Sequence, residues 1–138
     1  VREVSAGGGD FTKAYGVYFS PLDPYNYYIF IDKDNINKLY TVGSGCGGIT
    51  TECFERIPVR SGVSIYSISN TNGCAVANSA TGLHVTFLRP KPDAYINFTN
   101  SSAGIACSSQ PDAHITLRSP KGIFLTVSID STGQVYTQ

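Results

Sequence analysis

Apolar and polar residues alternate along most of the chain, most clearly over its last stretch, HITLRSPKGIFLTVSIDSTGQVYTQ. Ile115 and Leu117 alternate with polar residues, and between 123 and 129 every second residue is again apolar. A short third run follows at 134–136. Strict alternation is typical of half-buried β-strands. We therefore expect three strands here, which close a C-terminal meander over residues 83–138.

Strand-like runs recur through the rest of the chain, separated by turns rich in Gly, Pro, Asn and Asp. These runs are YGVYFS, YYIFID, KLYTVG, CFERIPV, GVSIYSIS, LHVTFL and AYINF. With the closing meander they make about ten strands, at the spacing typical of an antiparallel sandwich. The sequence thus predicts a single mainly β domain, residues 1–138, with a β-sandwich-like architecture.

Individual runs predict finer detail. Pro58 cannot donate to a strand ladder, which favours a sheet edge or a strand end for CFERIPV. In GVSIYSIS the apolar phase shifts after Ile65, which indicates a bulge. The apolar residues of LHVTFL and AYINF are expected to face the core. His84 and His114 lie at the opposite phase, and we expect both imidazoles to face solvent.

Two segments do not fit a strand. Residues 1–6, VREVSA, place Val1 and Val4 on one side of a helical turn, and the glycines at 7–9 would end it. The sequence therefore predicts a short N-terminal helix stub. The polar stretch TNSSAGIACSSQPD, residues 99–112, is expected to be a loop.

Composition narrows the possible partners. Of the 138 residues, 41% are hydrophobic and only 14% are charged, with a formal net charge of +0. A neutral chain has no overall electrostatic footprint for nucleic acid or for an anionic membrane. Only local patches of charge remain as candidates for such contacts.

Four cysteines, Cys46, Cys53, Cys74 and Cys107, are spaced too widely for a typical zinc site, and the two histidines are remote from them. They are better explained by two disulfides, which implies an oxidising location outside the cytoplasm. Of the three possible connectivities we favour Cys46–Cys53 with Cys74–Cys107.

Catalytic patterns are weak. The chain has no G-x-S-x-G nucleophile motif, and its acidic residues lie beside turns, where short carboxylates bond to backbone amides. The sequence predicts a protein that is not an enzyme and has no catalytic residues.

One acidic segment, IDKDNINK, offers alternating oxygen ligands of the kind that Ca²⁺ prefers. The ligands would be Asp32, Asp34, Asn35 and Asn37. The segment lacks the glycine and the later glutamate of an EF-hand loop, and lysines flank it. A plain turn between strands is therefore favoured, and no cofactor is expected.

Basic residues pair in two predicted turns, Arg89 with Lys91 and Arg118 with Lys121. Aromatic residues lie near them in sequence, a combination that can mark a nucleic-acid groove or another contact surface. Lysine and arginine at hairpin ends are more often ordinary solvated residues. A cluster of three tyrosines, Tyr25, Tyr27 and Tyr28, could furnish a carbohydrate or protein surface.

The closing stretches HVTFLRPKPDAYINF and HITLRSPKGIFLTVSIDSTGQVYTQ resemble the C-terminal half of the H-type minor pseudopilins of type II secretion and the FimT-like minor type IV pilins. GVYFSPLDPYNYYIFID is similar to a run in pilin-like proteins. The resemblance covers residues 83–138 and, more loosely, 15–40. The matching positions are Ile115, Leu117, Gly122, Val127, Ile129, Gly133 and Val135.

This resemblance implies the β head of a structural subunit that assembles with other pilin or pseudopilin subunits and takes no small-molecule substrate. Such subunits carry a long apolar N-terminal helix, which anchors the precursor in the inner membrane and later packs in the filament core. Residues 1–6 would be the remnant of that helix. The missing Met and the missing apolar span would reflect its removal. The head would lie in the periplasm or at the cell surface.

Some FimT-like pilins bind DNA through a C-terminal G-R-x-R motif. The matching residues here are Gly133, Gln134, Val135 and Tyr136, so both arginines are replaced. Without them the phosphate contacts that drive such binding are lost, and DNA capture is disfavoured. The alternative from another class is an extracellular binding module, either a DNA-uptake head or an adhesin for carbohydrate or another surface.

Overall fold

The computed structural model describes residues 13–32, 39–40, 45–47, 51–76, 81–88, 91–100 and 104–137. These ranges contain eleven strands and no helix, so the predicted mainly β fold is confirmed. The strands are β1 (Tyr15–Phe19), β2 (Asn26–Ile31), β3 (Cys53–Pro58), β4 (Ser64–Ser69), β5 (Ala75–Val76), β6 (Thr81–Phe87), β7 (Ala94–Asn100), β8 (Gly104–Gln110), β9 (Asp112–Arg118), β10 (Phe124–Asp130) and β11 (Val135–Thr137).

Two predicted elements fall mostly or wholly outside the described residues. The expected helix stub at 1–6 lies there, as does most of the expected strand KLYTVG. Of that strand, Leu39 and Tyr40 are described, and neither has strand conformation.

The strands form two antiparallel sheets. The six-stranded sheet has the order β3-β2-β1-β6-β7-β8, and the five-stranded sheet the order β11-β10-β9-β4-β5. Between the sheets lies the larger core, built from alternate residues of the strands, as the hydrophobic pattern predicted. The six-stranded sheet supplies Leu83, Val85, Ala94, Ile96 and Phe98, and the five-stranded sheet supplies Ile65, Ile68, Ala113 and Ile115.

Three local predictions are confirmed. β3 lies at the edge of its sheet and ends at Pro58, where the missing N–H costs no ladder bond. The register between β4 and β9 shifts between Ile65 and Ser67, the bulge indicated by the change of apolar phase. β9, β10 and β11 form the expected three-stranded meander.

The expected loop at 99–112 is wrong. Residues 104–110 form β8, which pairs with β7 through a register broken by bulges. Here backbone hydrogen bonding to a neighbouring strand outweighs a polar sequence that favours turns. β8 also separates the predicted meander into two parts. β6, β7 and β8 belong to the six-stranded sheet, and after Pro111 the chain continues as β9 of the other sheet.

A second, smaller core covers the other face of the six-stranded sheet. It contains Tyr18, Phe30, Tyr40 and Cys53. Gly82 makes room for it, because a Cβ atom at this position would overlap the ring of Tyr18. Both faces of the central strands are therefore buried, which makes this sheet the interior layer of the protein.

Both predicted disulfides form, and each closes a different part of the molecule. Cys74–Cys107 joins the residue before β5 to β8, so it links the edge strands of the two sheets on one side of the sandwich. Cys46–Cys53 attaches the long connection after β2 to the start of β3. The opposite side of the sandwich, beside β11, has no such link among the described residues.

The sandwich has two ends, a base and a tip, which are formed by different turns. The base is the end where β1 begins, and there the β10–β11 turn meets the β6–β7 turn through a bond from the Ala94 N–H to the Ser131 carbonyl. The tip is the opposite end, where the β1–β2, β3–β4 and β9–β10 turns lie.

Candidate functional site

His84 is buried, so the expectation that it faces solvent is wrong. Only 3% of its surface is exposed. Its Nδ1 accepts a hydrogen bond from the Tyr40 backbone N–H at 2.8 Å, so the ring proton lies on Nε2, which donates to Thr99 Oγ1 at 2.9 Å. Burial lowers the pKa of His84 to about 3. Its outward phase was identified correctly, but a second core covers that face. His114 is partly buried rather than solvated.

A pocket of about 330 Å³ opens beside this aromatic core, towards the tip. Its volume is at the lower end of the range typical of small-molecule sites. Its lining combines aromatic rings with a few polar groups: Tyr18, Ser20, Leu22, Asp23, Tyr28, Tyr40, Gly45, Cys46 and Arg56. The rings of Tyr28 and Tyr40 stack at 5.7 Å between centroids.

Asp23 organises the polar side of this pocket. Its carboxylate accepts hydrogen bonds from the Tyr28 hydroxyl, from Asn26 Nδ2 at 2.9 Å, and from Arg56 Nη2 at 2.9 Å. Burial alone would raise the pKa of Asp23, but these donors together lower it. Burial raises the pKa of Tyr28, and the hydrogen bond from its hydroxyl to Asp23 raises it further. Asp23 therefore stays ionised and paired, and the pocket presents no uncompensated charge.

The sequence identified little of this pocket. Tyr28 belongs to the tyrosine cluster that the sequence suggests as a contact surface, whereas no sequence motif points to Tyr40, Asp23 or Arg56. Arg56 is 33 residues from Asp23 along the chain, so only the pairing of β2 with β3 brings them together.

A second polar constellation lies on the outer face of the five-stranded sheet. His114 Nδ1 is 2.7 Å from Ser128 Oγ, and His114 Nε2 is 3.4 Å from Asp112 Oδ2. This arrangement of side chains resembles a serine–histidine–aspartate catalytic triad. However, Ser128 has no exposed surface, so a substrate cannot reach its oxygen. The geometry assigns these residues to cross-strand hydrogen bonding between β9 and β10.

The candidate calcium ligands are mostly outside the described residues. Asp34, Asn35 and Asn37 lie there, and Asp32 is fully buried at the end of β2. Within the part of the chain that the structure describes, no group of three or more His, Cys, Asp or Glu side chains could hold a metal ion.

The four candidate basic contact residues do not form one patch. Arg89 lies outside the described residues. Lys91 is in the β6–β7 turn at the base, whereas Arg118 and Lys121 are exposed at the tip. β10 alone, with seven residues, separates these ends by about 20 Å.

An apolar groove of about 240 Å³ opens between the sheets on the β11 side, away from the disulfide that links the two sheets. All of its lining residues are apolar: Val17, Phe19, Val85, Phe87, Ile115, Val127, Ile129 and Val135. Val135, on the edge strand β11, is 62% exposed at its rim. The groove begins beside β1 near the base.

Comparison with protein-family models, with curated proteins and with solved structures finds no match for this chain. The described residues include no helix long and apolar enough to cross a bilayer. The two disulfides indicate a non-reducing, extracytoplasmic environment, since such bonds persist where thiols are not kept reduced.

Proposed function

We propose that this chain is the extracytoplasmic head of a minor pilin or pseudopilin, a structural subunit that assembles with other pilin subunits. The observation that carries the proposal is the apolar groove between the sheets. A sandwich normally closes its core on all sides, so the open apolar groove supports the packing of another element at this position.

The position of the groove suits an apolar helix that precedes β1. Val17 and Phe19 of β1 line the groove, so a segment leading into β1 is within a few residues of it. The volume of the groove is large enough for a few apolar side chains of such a helix, but not for the helix itself. In this arrangement the helix anchors the precursor in the inner membrane.

The gene upstream of the Val1 codon tests the proposal directly. It should encode a prepilin peptidase site followed by about 20 apolar residues. A polar upstream sequence without such a segment would overturn the assignment.

An assembly experiment tests the groove itself. In cells that express the full-length protein with its own pilin system, Val135→Asp should reduce its recovery with sheared filaments or pseudopili. Val135 is exposed, so the charge should disturb packing on the groove rather than folding. Phe54→Asp, at an exposed site on β3, is the matched control and should assemble normally. Equal recovery of both variants would count against a role for the groove.

The pocket beside Asp23 favours a second candidate, a carbohydrate-binding module. Tyrosine rings next to a fixed carboxylate and guanidinium can contact both the C–H face and the hydroxyls of a sugar ring, and the compensated charge suits a neutral ligand. Glycan-array binding that is lost in Arg56→Ala but kept in Phe54→Asp would support it. An array without any bound neutral glycan would speak against it.

A further inference from the structure

The tip carries a concentration of exposed apolar side chains, of which only Leu22 also lines the pocket and none lines the proposed assembly groove. Among the described residues, nine large hydrophobic side chains are exposed, and six of them lie at the tip. They are between 47% and 67% exposed, and they are Leu22, Tyr25, Tyr66, Ile123, Phe124 and Leu125. Soluble monomers rarely expose such contiguous apolar surface without a function.

These side chains are held together because the three turns of the tip pack on one another. The Ile65 N–H donates to the Pro24 carbonyl at 2.7 Å, which joins β4 to the β1–β2 turn. Gly62 packs so closely on Pro120 that an added Cβ atom would lie 2.6 Å from the proline ring. The rings of Tyr66 and Phe124 are 4.9 Å apart. The tip is therefore one surface rather than three separate turns.

The charge of the tip is positive. Arg60, Arg118 and Lys121 are exposed there, and segments 59–66 and 117–125 contain no acidic residue. The β1–β2 turn contributes Asp23, which already pairs with Arg56 at 2.9 Å. A chain with a net charge of +0 thus presents one end with uncompensated cations, and this end complements an anionic surface.

The shape of the tip distinguishes a lipid surface from a protein partner. Ile123, Phe124 and Leu125 are consecutive, and consecutive strand residues point to opposite faces. All three are nevertheless exposed. The start of β10 extends beyond β11, which pairs only with residues 127–129, and it is exposed on both faces. A protein docked on one face leaves the other in water, whereas an interfacial lipid layer surrounds a projecting hairpin.

We propose that the tip binds the surface of an anionic lipid bilayer, with Ile123, Phe124 and Leu125 at the acyl boundary and the cations among the headgroups. This inference does not depend on the pilin assignment. A head attached at its base would present this end to a second membrane.

Vesicle flotation of the folded, disulfide-bonded protein tests the proposal. Binding to phosphatidylcholine vesicles with about 30 mol% phosphatidylglycerol should be at least about tenfold stronger than to phosphatidylcholine alone, and should weaken as salt rises. Absence of binding to the anionic vesicles would overturn the proposal, as would a stable dimer in solution that occupies the tip.

Matched variants locate the contact. Lys121→Glu and Phe124→Ser should each reduce binding by about tenfold. The controls are Lys91→Glu at the base and Phe54→Ser on β3, and both should bind like the original protein. Thermal melts confirm that all four fold. Phe124→Trp should show a blue shift in fluorescence with vesicles, whereas Phe54→Trp should not. Equal loss in test and control variants would refute a specific tip contact.

Discussion

The Tyr40 backbone N–H donates to His84 Nδ1 at 2.8 Å, a bond that connects residues 44 positions apart. It fixes a buried imidazole of β6 to Tyr40, a residue of the smaller core that lies in the connection between β2 and β3. The bond exists only while His84 is neutral, because a protonated ring has no acceptor nitrogen. The attachment of this connection is therefore linked to pH.

We predict that the protein loses stability as the pH falls below about 6.5. The folded state keeps the pKa of His84 at about 3, so between these values only the unfolded chain takes up the proton. The free energy of unfolding then decreases by up to about 1.4 kcal/mol per pH unit on acidification. Urea melts at pH 7 and pH 5 measure this slope. His84→Gln should flatten it, and an unchanged slope in His84→Gln would contradict the assignment.

The two disulfides should contribute unequally to stability. Cys74–Cys107 closes a loop of 33 residues and Cys46–Cys53 one of 7. On the loop-entropy model, replacing both members by alanine costs about 4 kcal/mol for the longer loop and about 2 kcal/mol for the shorter one. Denaturant melts of the two double variants give the comparison. The reverse ranking would mean that native packing, rather than chain entropy, determines the effect.

Gly82→Ala should destabilise the protein by about 1–3 kcal/mol, because the new methyl group overlaps the Tyr18 ring and repacks the smaller core. The measurement is a double-mutant cycle with Tyr18→Leu, which removes the part of the ring that clashes. Gly82→Ala should cost much less in that background. Additive effects would show that Gly82 is required for another reason.

At the pocket, Asp23→Ala should destabilise more than Arg56→Ala. Asp23 is only 23% exposed in its side chain and accepts from three side chains, so its loss leaves several donors unpaired and costs about 1–3 kcal/mol. Arg56 is 53% exposed, and ion pairs of such exposed side chains contribute little to stability because water screens them. Thermal or urea denaturation distinguishes the two. Equal losses would indicate that the ion pair, not the hydrogen-bond network, is the stabilising unit.

Alternation along the chain predicted most of the strands and the side chains of the larger core, because both depend on local periodicity. It also located the bulge beside Ile65. It did not predict β8, whose pairing partner rather than its composition makes it a strand. Nor did it separate a buried polar face from a solvated one at His84, because the cover includes Tyr40, which is 44 residues away along the chain.

Among the candidate sites, too, local features were predictable from the sequence and features that depend on distant contacts were not. The cysteine pairing was predictable from spacing and loop context. The pocket beside Asp23 and the tip around Phe124 were not, because each assembles residues from separate strands and turns. Alternation marks Phe124 as an outward residue, but only the turn packing shows that its neighbours are apolar and that the nearest charges are cations.

The link between the outer strands β5 and β8 has a mechanical consequence. A pulling force applied through the chain ends cannot extend the 33 residues that Cys74–Cys107 closes, which removes roughly 110 Å from the length that unravelling releases. The smaller loop at Cys46–Cys53 withholds about 25 Å more. Under tension, the oxidised protein therefore extends by less than the contour length of its chain. β5, β6, β7 and the first residues of β8 remain enclosed in the oxidised loop until a reductant opens it.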